Sequence, residues 1–307
     1  YYEMITQELG FIVSCGAFNP ITNAHLAMLD LSRDCVEYDI GIPVVQGIIS
    51  PVNDSYKKST LIKAKHRIKM CELAVSSTER SWINVDIWES TQAEYVRSIR
   101  VLERIRTAAA QQLSDNHKHY YKLWCDAKRA DYDDTKEIPD IDGIRFVPSV
   151  FLCCGTDMFA SMAKPGVWIP HQLKALLSSF SLLVLQRPGT GKAFLSARLD
   201  LAKQDYPIDN VFGVVPGVSF HISSTEVRKR SMQRRSLRSI VPKSVEEYIY
   251  KNELYSNGDS EKEHVEEHVF EKKEKSRHEC KILLNVFHSL SVSVKDGDES
   301  SISHLFK

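Results

Sequence analysis

The sequence predicts an α/β protein with a doubly wound, mainly parallel sheet and helices on both faces. Short apolar runs alternate with amphipathic stretches of helical length, the pattern of parallel strands joined by helical crossovers. Several of the apolar runs end at Gly or Pro, as buried strands do before a tight loop. With 43% hydrophobic and 26% charged residues over 307 positions, the chain is long enough for one large globular domain or two.

The first third of the chain contains three predicted strand-helix pairs. The apolar run from Phe11 to Cys15 ends at Gly16, and leucines at helical spacing then indicate a helix from Asn23 to Arg33. The next elements, read in the same way, are a strand over Val44 to Ile49, a helix over Leu61 to Val75, a strand over Trp82 to Trp88 and a helix over Ser90 to Arg106.

The pattern fails between residues 107 and 145, where polar, charged and Tyr-rich residues follow one another without a sustained period. We expect an insertion there that could be disordered. Order returns in the apolar runs Phe146 to Cys154, Ser181 to Gln186 and Val211 to Val215, each read as a strand. The domain is predicted over residues 9–255, followed by a mixed-charge tail over 256–307.

Two further helices are predicted to start near Ser224 and Pro242. Ser223 and Glu226 have the Ser-x-x-Glu spacing of a capping box, a device that stabilises a helix by about 1 kcal/mol. Pro242 is suited to the first turn of a helix, where its missing N–H has no intrahelical partner to lose.

Composition narrows the class of protein. The 40 Lys and Arg residues balance the 40 Asp and Glu residues, so nothing favours a nucleic-acid partner. No run reaches the roughly 18 apolar residues of a membrane span, and the first residues lack a secretory signal. The seven cysteines contain no CxxC pair and predict reduced thiols. We therefore expect an intracellular protein, in the nucleus or the cytoplasm.

Three loops are candidates for ligand binding, because ligands of open parallel sheets bind at the carboxyl ends of the strands. In residues 15–25, Gly16 permits close approach to a ligand and His25 falls on the first turn of a helix. In residues 149–168, Asp157 could take a ribose hydroxyl and Trp168 could stack on a ring. In residues 221–230, hydroxyls at a helix N-terminus lie beside Arg228. Each loop could equally be an ordinary turn, a core tryptophan or a solvated basic face.

Seven stretches together resemble the eukaryotic nicotinamide-nucleotide adenylyltransferases and occur in that family's order. The match spans roughly residues 10 to 255, apart from the insertion. The stretches are CGAFNPITNAH, GIISPVNDSYKKS, VDIWES, CCGTDMF, PGVW, ISSTEVR and VPKSVEEYIYKNELY. The resemblance implies a Rossmann-like fold, transfer of AMP from ATP to nicotinamide or nicotinate mononucleotide in NAD biosynthesis, and release of pyrophosphate.

The resemblance also assigns roles to individual residues. It implies His25, Lys58 and Arg228 as catalytic donors to phosphate, which we expect to act as cations. The residues implied in ATP binding are Gly16, Ala17, Phe18, Thr22, His25, Lys58, Gly155, Asp157, Ser224, Thr225, Glu226, Val227 and Arg228. Those implied in mononucleotide binding are Phe18, Trp88, Tyr95, Ser98, Val167, Trp168 and Arg187.

The remaining implications concern the metal, the partners and the assembly. Mg²⁺ is expected to be carried mainly by the ATP phosphates, with no metal-ligating side chain assigned. The partners implied are ATP and the mononucleotide, without nucleic acid or membrane span. Members of the family commonly form homo-oligomers.

The sequence departs from the family pattern at a few positions. Ala17 replaces a usual Ser, Tyr95 replaces a usual Trp, and Ser59 replaces a lysine. Phe220 and His221 replace the usual pair before the ISST stretch, which puts the contact to adenine in question.

Two motif matches and two other functions compete with this interpretation. The GTGK of residues 189–192 lacks the flanking Gly and Ser or Thr of a phosphate-binding P-loop, and the HVEEH of residues 264–268 lies in the charged tail without a third ligand. A pantetheine-phosphate adenylyl- or cytidylyltransferase is disfavoured because its substrates offer no pyridine ring to Trp168. A binding protein that has lost its activity is disfavoured by the intact phosphate-binding residues.

Overall fold

A computed structural model describes residues 5–56, 58, 60–130, 141–215 and 222–256. In this part of the chain, six strands form one sheet in the order β3-β2-β1-β4-β5-β6, and all neighbouring strands are parallel. The strands are β1 (Ile5–Gly16), β2 (Val44–Pro51), β3 (Ile83–Val85), β4 (Ile144–Gly155), β5 (Ser181–Leu185) and β6 (Val211–Val214). The predicted doubly wound fold is confirmed.

The helices cover both faces of the sheet and bury two apolar cores against it. Apart from a π-helix over Cys35–Ile40 and short 3-10 turns at Glu89–Thr91 and Ile141–Gly143, they are α-helices. The α-helices are α1 (Asn23–Asp34), α2 (Ala64–Ser76), α3 (Ser98–Asp115), α4 (His117–Ala130), α5 (Thr156–Met162), α6 (Pro170–Ser179), α7 (Gly191–Lys203), α8 (Ser224–Met232) and α9 (Lys243–Lys251). None of the helices within the described residues is long and apolar enough to cross a membrane.

The structure corrects the predicted elements around residues 82–145. The strand is only Ile83–Val85, and the helix expected over Ser90 to Arg106 is a 3-10 turn at Glu89–Thr91 followed by a loop and then α3. Gln92, which ends the 3-10 turn, and Arg97, which precedes α3, both have extended backbone, so no continuous helix connects them. The described part of the expected insertion is helical, since α3 continues to Asp115 and α4 follows it.

These two helices carry apolar residues that the sequence pattern did not bring out. Ala109 and Leu113 of α3 and Tyr120, Trp124 and Cys125 of α4 are buried in the core on one face of the sheet. The irregular appearance of the segment comes from its polar outer surface. The charged tail beyond Ser256, including the HVEEH stretch, lies outside the described residues.

Arg67 is the largest of the fully buried side chains. Its guanidinium donates to the backbone carbonyls of Ile62 (2.9 Å), Ala17 (3.1 Å) and Val52 (2.7 Å), and to the Asp54 carboxylate (2.8 Å). The planar fork of arginine can serve several acceptors at once, which a lysine cannot. Arg67 therefore joins the loops that follow β1 and β2 to the start of α2.

We predict that Arg67→Met lowers the free energy of unfolding by about 3 kcal/mol or more, because it leaves the backbone carbonyls of Ile62, Ala17 and Val52 without this donor. Urea unfolding measures this change. Arg100→Met is the matched control, since the Arg100 side chain is 75% exposed, and we expect it to change stability by less than about 0.5 kcal/mol. Equal stability of both variants would contradict the role given to Arg67.

Candidate nucleotide-binding site

A cavity of about 270 Å³ opens at the carboxyl ends of β1, β4 and β5. The chain crosses outward from β1 through β2 to β3, and then returns to the other side of β1 as β4. Because the connections on the two sides leave in opposite directions, a crevice forms between β1 and β4. The cavity lies at this reversal, where α/β sheets bind their ligands.

The cavity brings together predicted site residues from separate parts of the chain. They come from the loop after β1, the first turn of α1, the start of α5, the residue after β5 and the start of α8. These residues are Gly16, Phe18, Thr22, His25, Gly155, Asp157, Arg187 and Ser224. Two helix N-termini, those of α1 and α8, therefore meet at one cavity, which favours an anionic ligand.

His25 is held in one tautomer by the start of its own helix. Thr22, the N-cap of α1, donates its backbone N–H to Nδ1 of His25 at 3.0 Å, and its hydroxyl lies 2.8 Å from the same nitrogen. Nδ1 is thus an acceptor, so the proton of the neutral ring lies on Nε2. Burial, helped by the positive charge of Arg187, lowers the pKa of His25 from 6.5 to about 4. This geometry favours an uncharged N–H donor at neutral pH, in contrast to the cation expected from the sequence.

The loop between β1 and α1 is fixed by α8. Ser224 donates its hydroxyl to the carbonyl of Pro20 at 2.8 Å, and Arg228 donates Nη1 to the carbonyl of Asn19 at 2.7 Å. The other Arg228 nitrogen reaches the Thr225 hydroxyl at 3.1 Å. Ser223 caps α8 by accepting the backbone N–H of Glu226, which is half of the predicted capping box, while the Glu226 carboxylate accepts from Arg230 instead. The second phosphate motif is therefore bonded directly to the first.

Charged side chains stand at the rim of the cavity. Arg187 and Asp157 are exposed, and Asp157 is the one carboxylate among the described residues that line the cavity. Nowhere in the described ranges do three His, Cys, Asp or Glu side chains form a group that could hold a metal ion. The described surface of this cavity offers one positive and one negative group to a bound molecule.

Other predicted ATP contacts lie outside the cavity. Lys58 is exposed in the loop after β2, and the Ala17 carbonyl is occupied by Arg67. On α8, Thr225 is exposed and the Glu226 carboxylate accepts from Arg230. Val227 is fully buried in the core, because the inward face of α8 packs on the sheet. A side-chain contact from Val227 to a ligand is therefore ruled out by its burial.

Apart from Phe18 and Arg187, the residues predicted to bind the mononucleotide do not line this cavity, and we refer to them as the second group. Trp88 has the guanidinium of Arg104 over its ring at 4.9 Å, and Asp86 holds that guanidinium at 3.0 and 3.1 Å. Trp168 donates its indole N–H to Ser161 at 3.0 Å. Trp88 and Trp168 also pack against the same core cluster, whereas Val167 is 55% exposed.

The other members of this second group are near helix α3. Tyr95 is 43% exposed and its ring lies 5.7 Å from the ring of Tyr56. Ser98 is the first residue of α3. Arg187, also predicted to bind the mononucleotide, lines the cavity together with Phe18 and His25.

Sequence reasoning missed the residues that hold the site in shape. Arg67 donates to the Ala17 carbonyl, and the Asn19 side chain bonds to Thr60 and Tyr255. These residues are far apart in sequence and bond largely to backbone atoms. Such contacts leave no spacing or composition signal in a single sequence.

A parallel sheet of this order, with a polar cavity at the reversal and two helix N-termini facing it, defines a nucleotide-binding α/β protein.

The family described as cytidylyltransferase-like matches residues 13–230. The nicotinamide/nicotinic acid mononucleotide adenylyltransferase 1 of Bos taurus is 32% identical over 259 residues, covering 82% of this chain and 90% of the relative. The corresponding enzyme of Oryza sativa subsp. japonica is 32% identical over 249 residues, covering 81% and 86%.

The chain belongs to the nicotinamide/nicotinic acid mononucleotide adenylyltransferases, a group of nucleotidyltransferases within the cytidylyltransferase-like family. Among solved structures, the Plasmodium falciparum nicotinic acid mononucleotide adenylyltransferase complexed with NaAD is similar in fold. Its TM-score is 0.53 at 16% identity, over 80% of this chain and 97% of that one. The predicted family is confirmed.

We predict that the imidazole of His25 titrates with a midpoint near pH 4. NMR of the ring carbons and nitrogens measures this midpoint, and the signals of His25 are those that are missing in His25→Gln. The neutral form should show the proton on Nε2. Because the folded pKa lies below 6.5, the contribution of His25 to stability is complete above about pH 6.5 and is lost as the pH falls toward 4. A midpoint near 6.5, or a proton on Nδ1, would contradict this assignment.

Proposed function

We propose that the chain transfers AMP from ATP to nicotinamide mononucleotide or nicotinate mononucleotide, giving NAD or its deamido form and pyrophosphate. The observation that carries this proposal is the cavity at the β1/β4 reversal, where the neutral His25 donor, Arg187 and the start of α8 converge. The relatives in cattle and rice are named for both mononucleotides, which supports the choice of substrates.

The reaction needs no covalent intermediate and no general base. The mononucleotide phosphate is already an anion at neutral pH, so one of its oxygens can attack the α-phosphorus of ATP directly. A new P–O bond forms as the bond between the α-phosphorus and its bridging oxygen breaks, and pyrophosphate leaves with the bonding electrons. The barrier lies in bringing two anions together and in the charge that develops on the phosphates.

Donors of two kinds relieve that charge in this proposal. His25 supplies an uncharged N–H whose direction is fixed by Thr22, and the positive dipole ends of α1 and α8 add to it. Arg228 and Arg187 supply positive charge, and Lys58 adds a third cation from its loop. Preorganised dipoles are effective here because they need no reorganisation as the charge develops.

Mg²⁺ enters as part of the substrate, on the phosphates of ATP. It prefers oxygen ligands and keeps several waters, so it needs no cage of protein carboxylates. We assign Asp157 and Gly155 to the adenosine side of ATP, with the carboxylate accepting ribose hydroxyls.

The pyridine ring is assigned to the second group of residues. Trp88, braced by Arg104, and Trp168, braced by Ser161, are aromatic planes whose orientation is fixed by hydrogen bonds or stacking. Tyr95 offers a third, exposed ring, with Ser98 and Val167 near the exocyclic group. A pantetheine phosphate would leave these rings without a partner, which favours a mononucleotide.

A homo-oligomer and an intracellular location, nuclear or cytoplasmic, stay predictions of the sequence. So does the effect of Phe220 and His221 on adenine binding, since both lie outside the described residues.

Product formation from ATP, Mg²⁺ and each mononucleotide tests the proposal, with phosphopantetheine in parallel. We expect NAD from nicotinamide mononucleotide and strong loss of product with Trp168→Ala, because that variant removes an aromatic plane for the ring. Ser161→Ala, which removes only the bond to the indole, should lose less. No product from either mononucleotide with the folded protein would overturn the proposal and favour a binding protein instead.

We further predict that Arg228→Ala lowers turnover roughly 10³-fold or more, by analogy with arginines that clamp transferring phosphates. Lys229→Ala is the matched control, because Lys229 is the next residue of α8 and is exposed, and we expect little change. Thermal unfolding of both variants separates catalysis from loss of structure. A loss below about tenfold with unchanged unfolding would contradict the role of Arg228.

A further inference from the structure

Sulfur-bearing side chains line the nucleotide cavity, and the proposed reaction uses none of them. They are Cys15 of β1, Met28 of α1, Cys153 and Cys154 of β4, and Met158 of α5. Thiolate and thioether sulfurs are soft ligands, which select soft cations rather than Mg²⁺. The cavity therefore has a second chemical character, distinct from its helix termini and its charged rim.

Cys15 and Cys154 lie at the same level of two neighbouring strands. β1 and β4 pair in parallel as far as Val13 and Leu152, and two more residues along each strand lead to the two cysteines. Both strands remain in the sheet at this level, because Cys15 is paired with a residue of β2 and Cys154 with a residue of β5. The register therefore places the two cysteines side by side.

The two thiols also share one face of the sheet. Side chains alternate along a strand, so residues two positions apart lie on the same face. Val13, Leu152 and Cys154 are buried in one core cluster, and Cys15 packs against that cluster. Burial raises the pKa of Cys15, with smaller contributions from nearby groups that include Cys154. Register, face and electrostatic proximity thus agree that the thiols are neighbours.

The third cysteine of the cavity is excluded from this pair by its position. Cys153 lies between the two faces in sequence and belongs to the core cluster on the opposite face of the sheet. Its sulfur lies 2.9 Å from the Ser32 hydroxyl and 3.8 Å from the Met28 carbonyl oxygen, both on α1. Cys153 therefore lines the cavity from the α1 side and is already engaged there.

An ion can bridge two thiolates at this spacing. Bonds from sulfur to Zn²⁺ are about 2.3 Å long, so two sulfurs on one ion lie about 3.8 Å apart at a tetrahedral angle and about 4.6 Å apart in a line. Neighbouring strands are about 4.8 Å apart, and rotation about the Cα–Cβ bonds brings the sulfurs into this range. Two protein ligands leave the other coordination positions to water, which makes the site open and reversible.

We propose that Cys15 and Cys154 form a two-thiolate site for one soft divalent cation of the zinc and cadmium class, and that an ion bound there excludes nucleotide from the cavity. On binding, each thiol releases its proton to solvent, each sulfur forms one bond to the ion, and the ion gives up two waters. The site does not depend on the proposed function, whereas the effect on turnover rests on it.

Titration with Cd²⁺ alone, in excess Mg²⁺ and without nucleotide, tests the site, because cadmium–thiolate bonds absorb in the ultraviolet. We expect one Cd²⁺ per chain, bound with a charge-transfer band, since Mg²⁺ prefers oxygen and does not compete. Cys15→Ser and Cys154→Ser should each lower the affinity at least about 100-fold, because even loss of an outer-shell partner weakens metal sites 10- to 100-fold.

Cys153→Ser is the matched control, because it removes the adjacent thiol of the same strand and cavity from the opposite face. We expect it to bind Cd²⁺ as the wild type does. Thermal unfolding without metal shows whether each variant is folded, and the partly buried Cys15 is the safer position if Cys154→Ser does not fold. No band in the wild type, undiminished affinity in Cys15→Ser, or an equal loss in Cys153→Ser would overturn the thiol pair.

The effect on nucleotide is measured separately, as the fraction of adenylyl transfer that remains at a free Cd²⁺ concentration tenfold above its Kd. We expect about a tenfold loss in the wild type, the loss that this occupancy gives, and little loss in Cys15→Ser. Full activity of wild-type protein saturated with Cd²⁺ would overturn the exclusion of nucleotide. If the metal-free protein forms no product, the proposed function fails, while the Cd²⁺ titration still decides the site.

Discussion

The buried guanidinium of Arg67 is the constraint on which the rest of the site depends. Two loops leave neighbouring strands in the same direction, and the backbone bond from Val52 N–H to the Gly16 carbonyl (2.9 Å) joins only their first residues. Arg67 also joins them, by donating to backbone carbonyls of both loops and to the residue that leads into α2. With the first loop fixed at Ala17, α8 can bond to its far end at Asn19 and Pro20. The cavity wall is therefore made of backbone that is held from two sides.

The two groups of site residues differ in how they are built. The residues proposed to bind phosphate offer backbone dipoles, a neutral imidazole and helix termini, held by hydrogen bonds inside the fold. The residues proposed to bind the pyridine ring offer aromatic planes that contact Arg104 and Ser161, with Tyr95 and Val167 open to solvent. A rigid phosphate site suits chemistry that requires in-line geometry, whereas an open ring side suits a surface that admits two related pyridines.

Apolar periodicity predicted the six strands and the α/β class, because buried parallel strands are continuous apolar runs. It placed β1 too short, since residues 5–10 include polar Gln7 and Glu8 although they pair with β4. The apolar pattern did not predict α7, which begins at Gly191, two residues after Gly189. The GTGK stretch that overlaps its start was interpreted only as a loop. The loops that carry the motifs do lie at the cavity. A motif does not specify which of its side chains enter the cavity, however, because Val227 is buried in the core and Lys58 is exposed outside it. The contacts of Arg67 depend on folded loops and have no counterpart in sequence spacing.

The bond between Thr22 and His25 has a consequence for how this site can vary. The interaction that starts α1 is also the one that decides which ring nitrogen carries the proton. Fraying of the first turn would free Nδ1 and let the proton move between the nitrogens, so local order and donor direction change together. An amide side chain at position 25 also has one acceptor and one donor group, but both branch from a single carbon, so its N–H would point in a different direction from that of Nε2. Substitutions at positions 22 and 25 are therefore coupled, because each one changes both the helix cap and the direction of the proposed phosphate donor.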